Sequence, residues 1–155
     1  GKNCLSCVAD LEACCPLLDV LDLHNNNLSK IAPRSIQHLC ELRILNVAGN
    51  KLTRLDFLAG RSMGALEEVN ARRNRLSLIT DSIVECPRLS RLYLSANSLG
   101  GSLAASGIEA SIMRCKQLRD LTLEMNPIVE QFMLLLLVVV VWEKKGTVAV
   151  RRCLG

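Results

Sequence analysis

The residues of this sequence whose types most readily do chemistry are eight cysteines and two histidines. Cys4-Leu-Ser-Cys7, followed by Cys14 and Cys15, begins a zinc-ligand pattern. A tetrahedral zinc site takes four thiolate or imidazole ligands, normally as two short pairs. Neither a second C-x-x-C nor a neighbouring histidine pair follows, so neither a metal nor any other cofactor is expected. Cys15, Cys86 and Cys115 each lie three residues before Leu18, Leu89 and Leu118, and Cys40 lies two before Leu42. All four are expected as buried, reduced thiols, since a thiol packs as a small hydrophobe. That usage suits a reducing compartment better than a secreted one. His24 and His38 are the side chains suited to act as bases near neutral pH. Neither lies beside a Ser or Cys with a nucleophile signature. Phosphate loops, H-E-x-x-H and G-x-G-x-x-G are also absent from the sequence. The chemistry-bearing residues therefore do not assemble into a catalytic set, and an enzyme is not expected.

The elements that must position these residues come from a repeat. Leu18, Leu21, Leu23, Asn26 and Leu28 stand at the spacing L-x-x-L-x-L-x-x-N-x-L. The same spacing returns at Leu42, Leu45, Val47, Asn50 and Leu52, and at Leu66, Val69, Ala71, Asn74 and Leu76. It returns again at Leu89, Leu92, Leu94, Asn97 and Leu99, and at Leu118, Leu121, Leu123, Asn126 and Ile128. First leucines at 18, 42, 66, 89 and 118 give steps of 24, 24, 23 and 29 residues. L-x-L ending in Asn is strand alternation closed by a turn, not a helical period of 3.6. Steps of this size and this motif define a leucine-rich repeat (LRR). The expected fold is α/β: a right-handed, curved solenoid with a parallel sheet on its concave face and short helices or 3₁₀ turns on its convex face. Residues 1–130 form this domain, opening with a partial repeat.

Composition agrees with stacked small layers. Hydrophobic residues make up 50% of the chain but aromatics only 3%, so the core must be aliphatic. Ile31, Ile36 and Leu39, then Leu55, Leu58 and Met63, then Ile79, Ile83 and Cys86 are the apolar positions of the returning segments. The fourth return is longer, a Gly-Ser loop from Gly100 that becomes a helix near Ser106. Asn26, Asn50, Asn74, Asn97 and Asn126 recur at the turn. An amide both donates and accepts, so stacked asparagines are expected to form a buried ladder that satisfies backbone groups the turn leaves open.

Alternation along each strand exposes every second residue. The third motif position presents Val20, Ile44, Glu68, Arg91 and Asp120. The fifth presents Asp22, Asn46, Asn70, Tyr93 and Thr122, and the seventh His24, Ala48, Arg72, Ser95 and Glu124. Val20 and Ile44 are aliphatic where water is expected, and Glu68, Arg91 and Asp120 alternate in sign. The ordinary reading of the charges is mutual neutralisation on a surface. The functional one is a protein-binding face, apolar at one end and charged at the other, centred on Arg72, Arg73, Arg91 and Tyr93. Tyrosine and arginine are frequent interface anchors, and solenoids bind through their concave surface. The net charge of +4 is small, and Lys144, Lys145, Arg151 and Arg152 account for as much. With few aromatics to stack bases, nucleic acid is not an expected partner.

Residues 131–155 depart from the repeat. Phe132 to Trp142 is a run of eleven apolar residues, too short for a membrane-spanning helix of roughly 20. The preferred reading is an altered ending and not the native continuation; weak membrane association of this tail is the alternative. Gly1 opens within the pattern, so the chain reads as a fragment.

Leu21-Asp-Leu-His-Asn-Asn26, His38-Leu-Cys-Glu-Leu-Arg-Ile-Leu-Asn46 and Glu124-Met-Asn-Pro-Ile128 resemble the intracellular LRR class, which includes the protein phosphatase 1 regulator and the axonemal dynein light chain. Over residues 18–130 the chain resembles the LRR scaffold subunit of the tubulin polyglutamylase complex. That resemblance implies a non-catalytic scaffold for a tubulin-modifying complex, cytoplasmic and associated with the cytoskeleton or cilia. The phosphatase-1 likeness implies instead a regulatory subunit. The family's array is followed by a capping helix and a charged extension, whereas here it meets Phe132.

Overall fold

The computed structural model describes residues 17–36, 38–59, 63–100, 111–112 and 114–128. Five short strands lie among them: β1 Val20–Asp22, β2 Ile44–Asn46, β3 Glu68–Asn70, β4 Arg91–Tyr93 and β5 Asp120–Thr122. They form one sheet in the order β1-β2-β3-β4-β5, with every neighbouring pair parallel. Each strand occupies the third to fifth motif positions. Its central residue (Leu21, Leu45, Val69, Leu92 or Leu121) points inward between two outward neighbours. Hydrogen bonding between repeats continues past the strands, with Leu23 N–H donating to Asn46 O at 2.7 Å and Asn25 N–H to Ala48 O at 2.8 Å. The chain then returns through 3₁₀ turns at Pro33–Ser35, Asp56–Leu58 and Asp81–Glu85. The result is the LRR solenoid expected from the spacing.

Between sheet and return lies a continuous aliphatic core. Leu28, Leu42, Leu45, Leu52, Leu66, Leu76, Leu92 and Leu99 are fully buried, and each of the return-segment positions Ile31, Ile36, Leu39, Leu55, Leu58, Met63, Ile79, Ile83 and Cys86 is buried. Polar links join the returns as well: Thr80 Oγ1 donates to Asp56 Oδ1 at 2.9 Å and Ser82 Oγ to the Leu55 carbonyl at 3.1 Å.

The asparagines tie consecutive repeats together. Asn74 Nδ2 donates to Ala71 O at 3.1 Å in its own repeat and to Val47 O at 2.9 Å in the one before. Its Oδ1 accepts from Leu52 N–H at 3.0 Å. Asn50 bonds in the same way to Val47 O, Leu23 O and Leu28 N–H. Asn97 does so to Leu94 O, Ala71 O and Leu76 N–H, and Asn126 to Leu123 O, Leu94 O and Leu99 N–H. Asn26 starts the column, donating to Leu23 O at 2.9 Å. All five are buried. The residue before each is left-handed: Asn25, Gly49, Arg73, Ala96 and Met125 have φ of 53°, 67°, 53°, 56° and 56°.

The thiols divide. Cys86 is buried and Cys115 half-buried, but Cys40 is exposed, against expectation. Lying two residues before its leucine and not three, Cys40 is out of phase with the inward column, and Leu39 fills that place at 1% exposure. Burial pushes the Cys86 thiol up to about 12, helped by nearby Cys115 and Glu85, and the Cys115 thiol up to about 11. The Cys4–Cys15 group, the partial repeat before Leu17, the loop 101–110 and the tail 131–155 lie outside the described residues. Residues 111, 112 and 114 are helical. Among the described residues no group of three potential ligands could hold a metal, and no helix is long and apolar enough to cross a membrane.

Candidate protein-binding face

Parallel pairing places Val20, Ile44, Glu68, Arg91 and Asp120 in one row across the sheet, and Asp22, Asn46, Asn70, Tyr93 and Thr122 in the next. Strand spacing of roughly 4.8 Å brings neighbours in a row into side-chain contact range. Val20 is 47% exposed, a bare aliphatic on a solvent-facing strand, and Ile44 beside it is partly covered. The apolar end is therefore formed by β1 and β2, and the charged end by β3 to β5.

Arg91 Nε lies 2.7 Å from Glu68 Oε2 across β3 and β4. This is an ion pair and not a hydrogen bond, because the buried Nε–H is not aimed at that oxygen and finds no acceptor. Arg72 lies over the Tyr93 ring at 4.5 Å from its centroid, a cation–π contact between the third and fourth repeats worth about 0.5–1 kcal/mol when exposed. The two anchors named from sequence thus meet as a preformed pair. Arg73 does not join them. It stands on the turn rim after β3, exposed.

Three residues of the fifth column also serve the backbone. Asp22, Asn46 and Asn70 accept from the N–H two residues on, His24, Ala48 and Arg72, at 3.1, 3.2 and 3.3 Å. Such Asx turns close the strand, leaving these side chains partly engaged. His24 Nδ1 lies 2.6 Å from Asp22 Oδ1. Burial raises the Asp22 pKa, but the side-chain and backbone hydrogen bonds from His24 outweigh it and hold the carboxyl below its ordinary value. In the last two repeats Ser95 Oγ bonds to Thr122 Oγ1 at 2.9 Å and to the Glu124 carboxylate. Sequence reasoning missed the Asx role, although Asp or Asn two residues before each turn is its signal.

The edge entering the strands is charge-balanced. Arg43 Nε and Nη2 bind the two Glu67 carboxylate oxygens at 3.0 and 3.3 Å, and Arg43 reaches Asp19 at 3.8 Å. The Arg43 hydrogen bond keeps Glu67 below its ordinary range. An open cleft of about 500 Å³ at this edge is lined by Arg88, Arg91 and Arg119, with Glu67 and Asp120 among them.

The comparisons with known proteins agree with this architecture. A family model described as "Leucine Rich repeats (2 copies)" matches residues 2–60, and another, "Leucine rich repeat", matches residues 40–99. The chain is a leucine-rich-repeat protein. The LRR fold also appears in the solved structures it resembles. An internalin from Listeria monocytogenes has a TM-score of 0.60 at 20% identity, covering 72% of this chain and 30% of its own. The Drosophila melanogaster SNF/U2A′ complex has a TM-score of 0.62 at 22% identity, covering 72% and 60%. An LRR protein of Leptospira interrogans has a TM-score of 0.57 at 22% identity, covering 79% and 36%. The chain thus spans less than two thirds of each of these structures' chains. No curated protein matches the sequence. LRR folds are generally protein–protein interaction modules.

Proposed function

We propose that this chain is a non-catalytic scaffold or adaptor that binds another protein through its concave sheet. The observation that supports the reading is the joined Arg72–Tyr93 pair beside Arg91 on an open sheet face, with the bare Val20 at the other end. A rigid aromatic under a guanidinium offers contact area at little entropic cost on binding. The solved SNF/U2A′ neighbour, a complex, is an instance of this fold in an assembly. On the resemblance over residues 18–130, the partner is a tubulin-modifying complex, and the protein works in the cytoplasm at the cytoskeleton or cilia.

The test is affinity capture from cells with the parent chain and an Arg72, Arg91 and Tyr93 to Ala variant that melts as the parent does. Recovery of tubulin-modifying enzymes, lost in the variant, is expected. Recovery of a phosphatase catalytic subunit, equally variant-sensitive, replaces the scaffold reading with a regulator of the phosphatase-1 type. Equal recovery by both proteins removes the concave face as the binding site.

A further inference from the structure

The turn edge leaving the strands is basic in the first three repeats. Residues 24–30, 48–54 and 72–78 hold Lys30, Lys51, Arg54, Arg72, Arg73 and Arg75, and no Asp or Glu. Arg54 is paired with Asp56 at 2.6 Å, and Arg72 rests on Tyr93. Lys30, Lys51, Arg73 and Arg75 are exposed and make no ion pair among the described residues. Lys51 and Arg75 occupy the same position in consecutive repeats, each donating its N–H at 2.8 Å to a leucine carbonyl of the repeat before. Their backbones therefore stack about one strand spacing apart, roughly 4.8 Å. Like charges at that separation repel and add nothing to folding. Arg73 holds the left-handed position, φ 53°, that Asn25, Gly49, Ala96 and Met125 fill in the other repeats, which projects its side chain from the turn rim. Its backbone N–H donates to the Ser95 carbonyl at 2.9 Å, while its side chain makes no ion pair among the described residues.

We propose that this turn edge docks an acidic segment of a protein, held by Lys51, Arg73 and Arg75, with Arg72 joining the edge to the concave face. The surface and the partner chemistry are distinct from the concave reading and do not rest on it. Arginine forks match carboxylates in a bidentate manner. Surfaces that take single-stranded nucleic acid add stacking aromatics to their cations. Here the Tyr93 ring is covered by Arg72 and Phe57 is buried, so an acidic protein segment fits better than a phosphate chain.

The experiment uses the full chain and a short labelled oligoglutamate peptide, read by fluorescence anisotropy over a salt series. Binding that weakens with salt is expected. The combined Lys51→Gln, Arg73→Asn and Arg75→Gln variant should bind about tenfold or more weakly, from three rim contacts each worth a factor of roughly 2–5. Arg73→Asn suits the left-handed turn, so this variant should melt no lower than the parent. Arg119→Gln, on the opposite edge, should bind as the parent does. Absent peptide binding, undiminished binding by the combined variant, or an equal loss in Arg119→Gln would overturn the proposal. So would tighter binding of a single-stranded oligonucleotide with the same variant sensitivity.

Discussion

Replacing Asn74 by Ala tests the ladder where both of its sides are occupied. The amide donates to Val47 O, Ala71 O and Arg72 O at 2.9, 3.1 and 3.2 Å and accepts from Leu52 N–H at 3.0 Å. The losses are unequal. Val47 O keeps Asn50 Nδ2, Ala71 O keeps Asn97 Nδ2, and Arg72 O keeps the Gly49 N–H. Leu52 N–H has no second acceptor among the described residues and is stranded in the interior. A stranded buried amide costs about 1–3 kcal/mol, and the weakened carbonyls add about 1 kcal/mol together. The expected total is ~2–4 kcal/mol, against whole-domain stabilities of roughly 5–15 kcal/mol. Urea unfolding followed by far-ultraviolet circular dichroism measures it, with an unchanged m-value showing that the same cooperative unit unfolds. Asn74→Asp sharpens the test. Its carboxylate would face three carbonyl oxygens, so at neutral pH it should destabilise more than Ala does. Its folded pKa would be raised, so stability should be recovered in acid and lost as the pH rises past the ordinary carboxylate range. If Asn74→Ala costs less than about 0.5 kcal/mol, or Asn74→Asp is the milder change, the hydrogen-bond assignment is wrong.

Leu92→Ala empties a fully buried site in β4 and should cost about 2–5 kcal/mol by the same unfolding measurement; a parent-like melt would contradict the register. Gly49→Ala should destabilise by about 1–3 kcal/mol, since its φ is +67° and a Cβ would run into the Asn25 side-chain amide. In native alkylation with mass-spectrometric readout, the exposed Cys40 should react, and Cys86, with its thiol at about 12, should react only after unfolding. Because the folded Cys86 pKa lies above its ordinary 9.0, its linkage leaves stability unchanged below that pH and lowers it as the pH rises from there towards 12. An alkaline melt series on the parent and Cys86→Ala separates this contribution, and identical slopes would rule it out.

The spacing of Leu, Leu, Leu, Asn and Leu determined the architecture by itself, because the motif is made of nearest-neighbour layers. Each strand falls on its expected positions, and outward rows follow from alternation alone. Cys40 shows how finely that logic cuts: one residue of phase separates it from Cys86, and that residue puts it in water. What only the tertiary structure decided is relational. That Asn74 serves Leu52 and Val47 of the preceding repeat, that Arg72 covers Tyr93 of the next, and that Arg43 neutralises Glu67 while Lys51, Arg73 and Arg75 form no ion pair among the described residues all depend on contacts across repeats. A one-dimensional period says which column a side chain occupies. Which neighbour it touches depends on stacking twist, rotamer and the left-handed turn, and these emerge only when the repeats are packed together.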